Sequence, residues 1–513
     1  TVKADGKGIV LVVAENVKIT GAPEGTKIVV ADGATGLTVN GKSVSDDQTY
    51  IVPKTTTSSG SSSSGGSTPS HTHSYDAATH KCSCGEVDPA YAVASVSGKN
   101  YLTLSEAITA AQAGNKTMTL AADKTTTVSI QEILDGQHGS IDGLTIELPS
   151  GTYGALKLAP TAYAGSNTTY TCPHNDSTDN TGSVTFTSVG DYKQHMSGKP
   201  HHGSARIFTR TLNDLTITAQ NGAEVNIAGF EILSRAYDGN SDPFAEGKTG
   251  YEVVLNVNNL TFSNVKFTAK VEISSTMSDT TIDGVTFNSC VFETEKVNNT
   301  DKQALNFSNS LNNGKVTNLK VDGCKFNNCY QGVYTNTIKN ILVTSSEFSG
   351  TFHNAIAVQT GNDAVNHGAV VISGNTFTDI GDRIIRFNNV GADTQITITH
   401  NTADNNSGKK AENTETREVI KAESLAEGVT CNIHSNSWGE NKTVANEPLR
   451  DAAAAEPCAK IGDVEYISLA TALAAAQSGD IVKLVSDVAL DADVSISNQI
   501  TLNLDGKTIE TNG

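Results

Sequence analysis

The stretch at 372–387, "ISGNTFTDIGDRIIRF", sets Asp379, Asp382, Arg383 and Arg386 close together between two apolar runs. Two carboxyl groups that near suit acid–base chemistry. Glycoside hydrolysis needs such a pair roughly 5 to 10 Å apart, one protonating the leaving oxygen and the other acting as nucleophile or activating water. Counting five residues past Phe326, Phe348 and Phe377 gives Gln331, His353 and Asp382. If those three phenylalanines stack, Gln331, His353 and Asp382 form one column, and an imidazole beside a carboxylate is oriented and made more basic. The chemical reading takes Asp379, Asp382 and His353 as catalytic, with Arg386, Arg383 and Gln331 contacting substrate. The plainer reading makes Asp382 and Arg383 a turn closure, His353 its cap and Arg386 a solvated surface residue.

Two further segments carry reactive side chains. Residues 160–205 hold His174, His195, His201 and His202 with Tyr163, Tyr170 and Tyr192. Rings and imidazoles on a long excursion suit stacking and hydrogen bonding to sugars, with His195, His201, His202, Tyr170 and Tyr192 as binding candidates. A polar loop that merely shields one face is the alternative. The segment "HTHSYDAATHKCSCGE" offers His71, His73, His80, Cys82 and Cys84, five Zn²⁺-type ligands within fourteen residues. H-x-H and C-x-C bring ligands closer in sequence than the C-x-x-C of a zinc knuckle, so a plain linker competes with a metal site. Ca²⁺ is the other metal considered, though no carboxylate cluster for it stands out in the sequence.

The elements that must hold these residues show themselves as a repeat. Seven nine-residue windows align: "NLTFSNVKF" (259–267), "GVTFNSCVF" (284–292), "NLKVDGCKF" (318–326), "NILVTSSEF" (340–348), "AVVISGNTF" (369–377), "QITITHNTA" (395–403) and "TCNIHSNSW" (430–438). Their seventh position runs Val265, Cys290, Cys324, Ser346, Asn375, Asn401, Asn436, and their ninth Phe267, Phe292, Phe326, Phe348, Phe377, Ala403, Trp438. Strand-like units recurring every 22 to 35 residues, with like residues at like places, predict a solenoid of stacked coils. Alternation puts Ile356, Val358, Ile385 and Phe387 inside and predicts Ala355, Ala357, Ile384 and Arg386 outside, lining a shallow groove.

A coarser repeat frames the fine one. "YLTLSEAITAAQAGNKTMTL" (101–120) matches "YISLATALAAAQSGDIVKLV" (466–485), each an Ala-rich amphipathic helix between strands. A helix at the first coil covers an edge that otherwise invites chain-to-chain pairing. Together these features resemble the right-handed parallel β-helix of the pectin-lyase-like superfamily, N-terminal cap helix included, over 93–440 and again from about 459. That resemblance implies an all-β solenoid flanked by partial β domains. It implies either a carbohydrate-active enzyme (glycoside hydrolase or polysaccharide lyase) or a non-enzymatic adhesin. The Asn-Thr-Asp, Asp-Asp, Gly-His-Gly and Arg-Ile-Lys set of the polygalacturonase-like members is not present as a set.

Composition bounds the rest. With 36 basic against 55 acidic residues and a net charge of −19, nucleic acid and anionic membrane are poor partners. No apolar run approaches the 18 residues of a membrane span. Residues 1–54 read as the end of a preceding β domain. Residues 55–92 read as a Ser/Gly-rich linker with the His/Cys segment, 93–440 as the β-helix, 441–458 as linker, and 459–513 as the start of a second, truncated β-helix. The eight cysteines are too scattered for a disulfide framework and read mostly as buried thiols. The expectation is an excerpt from a large secreted or surface-attached bacterial protein. Its role is expected to be binding a polysaccharide, host glycan or surface protein, with an enzyme or a structural stalk as alternatives.

Overall fold

A computed structural model describes residues 73–121, 127–158, 207–234, 252–275, 280–294, 303–309, 315–360, 364–407, 418–439, 447–450, 452–490 and 498–511. It also describes Val494, Ile496 and short strands in 1–54 and 168–186. The chain is all-β apart from a few short helices, and it winds as a parallel β-helix with three faces. One coil shows the plan: Val316–Asp322 on the first face, Lys325–Asn327 on the second, Gln331–Asn336 on the third. The next coil repeats it with Lys339–Thr344, Glu347–Ser349 and Ile356–Gln359, each strand pairing in parallel with the one below. The second and third faces are each eight strands deep.

The columns expected from the windows are present. Phe267, Phe292, Phe326, Phe348, Phe377 and Ala403 are successive register partners. Phe292, Phe326 and Phe348 stack face to face with centroids 4.5 Å apart, close to the strand spacing of about 4.8 Å. The seventh position forms a hydrogen-bonded ladder at the corner between the first two faces. Cys324 N–H donates to Ser346 Oγ (3.0 Å), Ser346 N–H to Asn375 Oδ1 (2.9 Å), Asn375 N–H to Asn401 Oδ1 (3.0 Å) and Asn401 N–H to Asn436 Oδ1 (2.9 Å). Each side chain thereby satisfies a corner amide that the bend removes from the sheets. Immediately before it, Asn264, Ser289, Gly323, Ser345, Gly374, His400 and Ser435 all take positive φ. Each of these seven coils therefore turns this corner through one left-handed residue.

Both ends of the cylinder are closed. At the start, the hairpin Ala94–Val96 and Lys99–Tyr101 leads into the expected helix, Leu104–Ala113, whose Ala107, Ile108 and Ala111 are buried. Thr103 caps it by accepting from the Glu106 N–H (3.2 Å), and the two side chains bond each other at 3.1 Å. A second helix, Thr127–Leu134, buries Ile130, Ile133 and Leu134 in the same core. At the far end Trp438 and Leu449 enter the core, and Ala453–Ala454 extends the first face. Part of the 441–458 stretch read as linker is thus this closure.

Residues 459–511 repeat the opening unit: a hairpin (Ala459–Ile461, Val464–Tyr466), the helix Leu469–Ala475, then the strand Ile481–Leu484. This unit packs against the first face of the main solenoid, Leu342 and Val371 entering its core beside Ala459, Tyr466 and Leu469. Its strand Thr501–Asn503 pairs in parallel with Val10–Val13. The two stretches read as separate partial domains, 1–54 and 459–513, therefore share one sheet.

Candidate functional site

Gln331, His353 and Asp382 lie in the expected column, and Gln303 extends it by one coil. Gln303 Nε2 donates to Gln331 Oε1 (3.2 Å), Gln331 Nε2 meets His353 Nδ1 (3.4 Å), and His353 Nε2 meets Asp382 Oδ2 (3.4 Å). Asn354 Nδ2 also donates to His353 Nδ1 at 2.6 Å. With amide donors on Nδ1, the proton belongs on Nε2, directed at Asp382. Both ring nitrogens are therefore engaged inside the protein. The Asp382 side chain is 5 % exposed and also takes Arg383 Nη1 at 3.6 Å. Asp379 sits on a corner at φ 54°, exposed, its N–H donating to the Asp404 carboxylate (3.3 Å). One carboxylate faces water and the other is buried, so they share no open pocket.

The neighbouring groups follow the same logic. Arg386 points outward in the column Tyr334, Ala357, Arg386, Lys421 and pairs with Glu423 (3.6 Å). Ala355 and Ile384, expected outside, are buried in the core. Alternation fails for them because they precede the strands Ile356–Gln359 and Ile385–Asn388, where the corner turns two consecutive side chains inward. The groove inferred from those small residues does not form there.

The other candidates divide. His73, Cys82 and Cys84 converge, whereas His80 stacks on Tyr91 with centroids 3.6 Å apart. His71, His195, His201, His202 and Tyr192 lie outside the described residues, as does the Tyr170 side chain, although its backbone pairs with Phe186 and Phe208. Among the described residues no carboxylate cluster converges to hold Ca²⁺.

A cleft that the sequence did not announce lies elsewhere, on the first face. Its outward column runs Thr216, Thr261, Thr286, Lys320, Leu342, Val371 in register. The apolar end docks the second unit, and the hydroxyl end remains as the floor of a wedge of about 890 Å³. Beside it runs a column of amides and carboxylates: Asn259 Nδ2 donates to Asp214 Oδ1 (2.8 Å), Asn318 Nδ2 to Asp283, and Asn340 Nδ2 to Asn318 Oδ1 (2.9 Å). Ala474 to Gln477, Val494 and Asn498 form the roof. Lys320 closes the apex, donating from Nζ to the carbonyl of Ala475 at the helix C-terminus (2.6 Å). Burial pushes that amine below the usual lysine range, Asp322 and Asp480 opposing the shift.

No protein-family model, no characterised protein and no solved structure matches this chain.

Proposed function

We propose that the chain is a binding module of a secreted or cell-surface bacterial protein, akin to the pectin-lyase-like solenoids, and that it holds a neutral polysaccharide strand in the first-face wedge. The observation that carries this reading is the column Thr216–Thr261–Thr286 beside Asp214, Asn259 and Asp283, one polar set per coil. Coils recur about every 4.8 Å, close to the length of one pyranose in an extended glycan, so successive sugars meet equivalent hydroxyl, amide and carboxylate groups. Asp214 and Asp283 on the wall disfavour a polyanion such as pectate and favour an uncharged chain. Hydrolysis is the weaker reading, because His353 has both nitrogens occupied and Asp382 is buried beneath Arg383.

The test is calorimetric titration with soluble neutral polysaccharides, run beside a host-glycan array and an assay for released reducing ends. Thr261→Arg fills the wedge from an outward position and is expected to weaken polysaccharide binding at least tenfold while leaving the melting temperature near that of the parent. Undiminished binding by that variant refutes the wedge. Saturable binding of a surface protein with no glycan signal replaces polysaccharide with protein as the partner, and reducing ends lost in Asp382→Asn restore the enzyme.

A further inference from the structure

We propose that His73, Cys82 and Cys84 form a zinc site that fastens the chain just ahead of the solenoid cap. One ligand atom from each lies within 4.8 Å of the others, and Cys84 Sγ stands 3.4 Å from His73 Nδ1. A tetrahedral ion with Zn–S near 2.3 Å and Zn–N near 2.0 Å requires adjacent ligand atoms roughly 3.5 to 3.8 Å apart, so the set needs only a small contraction to bind. Neither cysteine is joined in a disulfide. The metal would displace the two thiol protons and take both sulfurs as thiolates, which makes binding pH-dependent.

The backbone explains why C-x-C works here. Residues 75–87 fold as a small hairpin, with bridges Tyr75–Cys82 and Lys81–Val87. A tight turn follows Cys82: Gly85 N–H donates to the Cys82 carbonyl (2.8 Å), and Cys82 N–H to the Glu86 carbonyl (2.8 Å). That turn brings Cys84 back over the strand, so two cysteines separated by one residue reach the same point. His73 arrives from the opposite strand, its ring stacked near Tyr75 at 5.9 Å. His80 is engaged elsewhere, since its ring lies on Tyr91 and its carbonyl accepts from Asp88 N–H (2.9 Å). Three protein ligands leave the fourth tetrahedral position for water or an exogenous donor.

The site has a mechanical consequence. Cys82 and Val87 are buried within a segment that has few other apolar groups, and Val87 lies seven residues before the cap strand Ala94–Val96. So small a hairpin buries too little apolar surface to be rigid alone, and a metal supplies the cross-link.

The experiment uses the full chain, purified with reductant and without chelator, with zinc counted by elemental analysis and the apo form titrated with Co²⁺ alone. The expected result is one zinc per chain and a Co²⁺ complex with thiolate charge-transfer absorption. Cys84→Ser and His73→Ala are each expected to weaken Co²⁺ binding at least tenfold, whereas His80→Ala retains it. The solenoid's melting temperature, unchanged in every variant, separates loss of metal from loss of fold. Substoichiometric zinc with reduced thiols, a Cys82–Cys84 disulfide that binds no Co²⁺ after reduction, or Co²⁺ affinity unchanged in both variants overturns the proposal.

Discussion

Asn401 Oδ1 accepts both the backbone N–H and the side-chain Nδ2 of Asn375, each at 3.0 Å, although the two residues stand 26 positions apart. Asn401 Nδ2 in turn donates to the Ile372 and Thr399 carbonyls and to Asn436 Oδ1 (2.9, 3.0 and 2.9 Å). One buried amide therefore joins three coils. Asn401→Ala leaves the buried Asn375 N–H without its acceptor and takes one donor from each of the Ile372 and Thr399 carbonyls. Asn375 Nδ2 keeps the Val343 carbonyl (2.9 Å), and the Thr399 carbonyl keeps the Gly374 N–H (3.0 Å). An unmet buried group costs about 1–3 kcal/mol. A total loss of about 3 kcal/mol is expected, read as a lower urea midpoint. Asn436→Ala, at the more exposed end of the ladder, is expected to cost less. Equal costs would contradict the ladder as a burial effect.

Asp382→Asn separates structure from catalysis. The change removes the charge facing Arg383, whose side chain is 15 % exposed, and weakens the acceptor for His353 Nε2–H. The expected result is a loss of about 1–3 kcal/mol in stability, with polysaccharide affinity unchanged, as measured by denaturation and titration on the same samples. A stable variant with altered ligand handling would place Asp382 in the binding site after all.

His367 gives the fold an acid-sensitive element. Its Nδ1–H donates to the Ile338 carbonyl at 2.8 Å, and among the described residues no group bonds its buried Nε2. Burial holds its pKa below the ordinary 6.5, the Ile338 bond partly offsetting the shift. The unfolded chain therefore takes up a proton near pH 6.5 that the folded chain refuses. Stability is full above that pH and falls as pH drops through it, levelling off only below the lowered folded value. His367→Gln, which keeps an amide donor for Ile338, is expected to flatten the stability–pH profile between roughly pH 7 and 5. An unchanged slope would assign the acid sensitivity to other groups.

The phenylalanine and asparagine columns were legible in the sequence because stacking demands like side chains at a fixed offset from each strand. The Gln331–His353–Asp382 column was legible for the same reason. Its surroundings were not: a period-two rule holds along a strand and breaks at a corner, and that break turned Ala355 and Ile384 inward. The left-handed corner was hidden because Asn264, Ser289, Gly323 and His400 share only a tolerance for positive φ. The wedge was harder still. Its floor and its docking patch belong to one outward column, Thr216 to Val371, and the switch from hydroxyl to apolar side chains appears only once register is known.

Lys320 stands at that switch, between the threonines and Leu342, and its role follows from where it sits. Its ammonium meets a helix C-terminus, where partial negative charge gathers on unpaired carbonyls. Docking the second unit also strips water from the amine and lowers its pKa from 10.5. A lowered folded value means that the docked state binds protons less readily than the open one. Docking is therefore expected to tighten as pH rises from the lowered value toward about 10.5, where the open form would otherwise stay protonated. Lys320→Met fills a similar volume without a titrating group. It is expected to keep the solenoid's stability within about 1 kcal/mol of the parent's and to abolish the alkaline dependence of docking. Protease sensitivity of the docked helix Leu469–Ala475 across roughly pH 8 to 10.5 reports docking, and a slope shared by the variant and the parent would remove Lys320 from the joint.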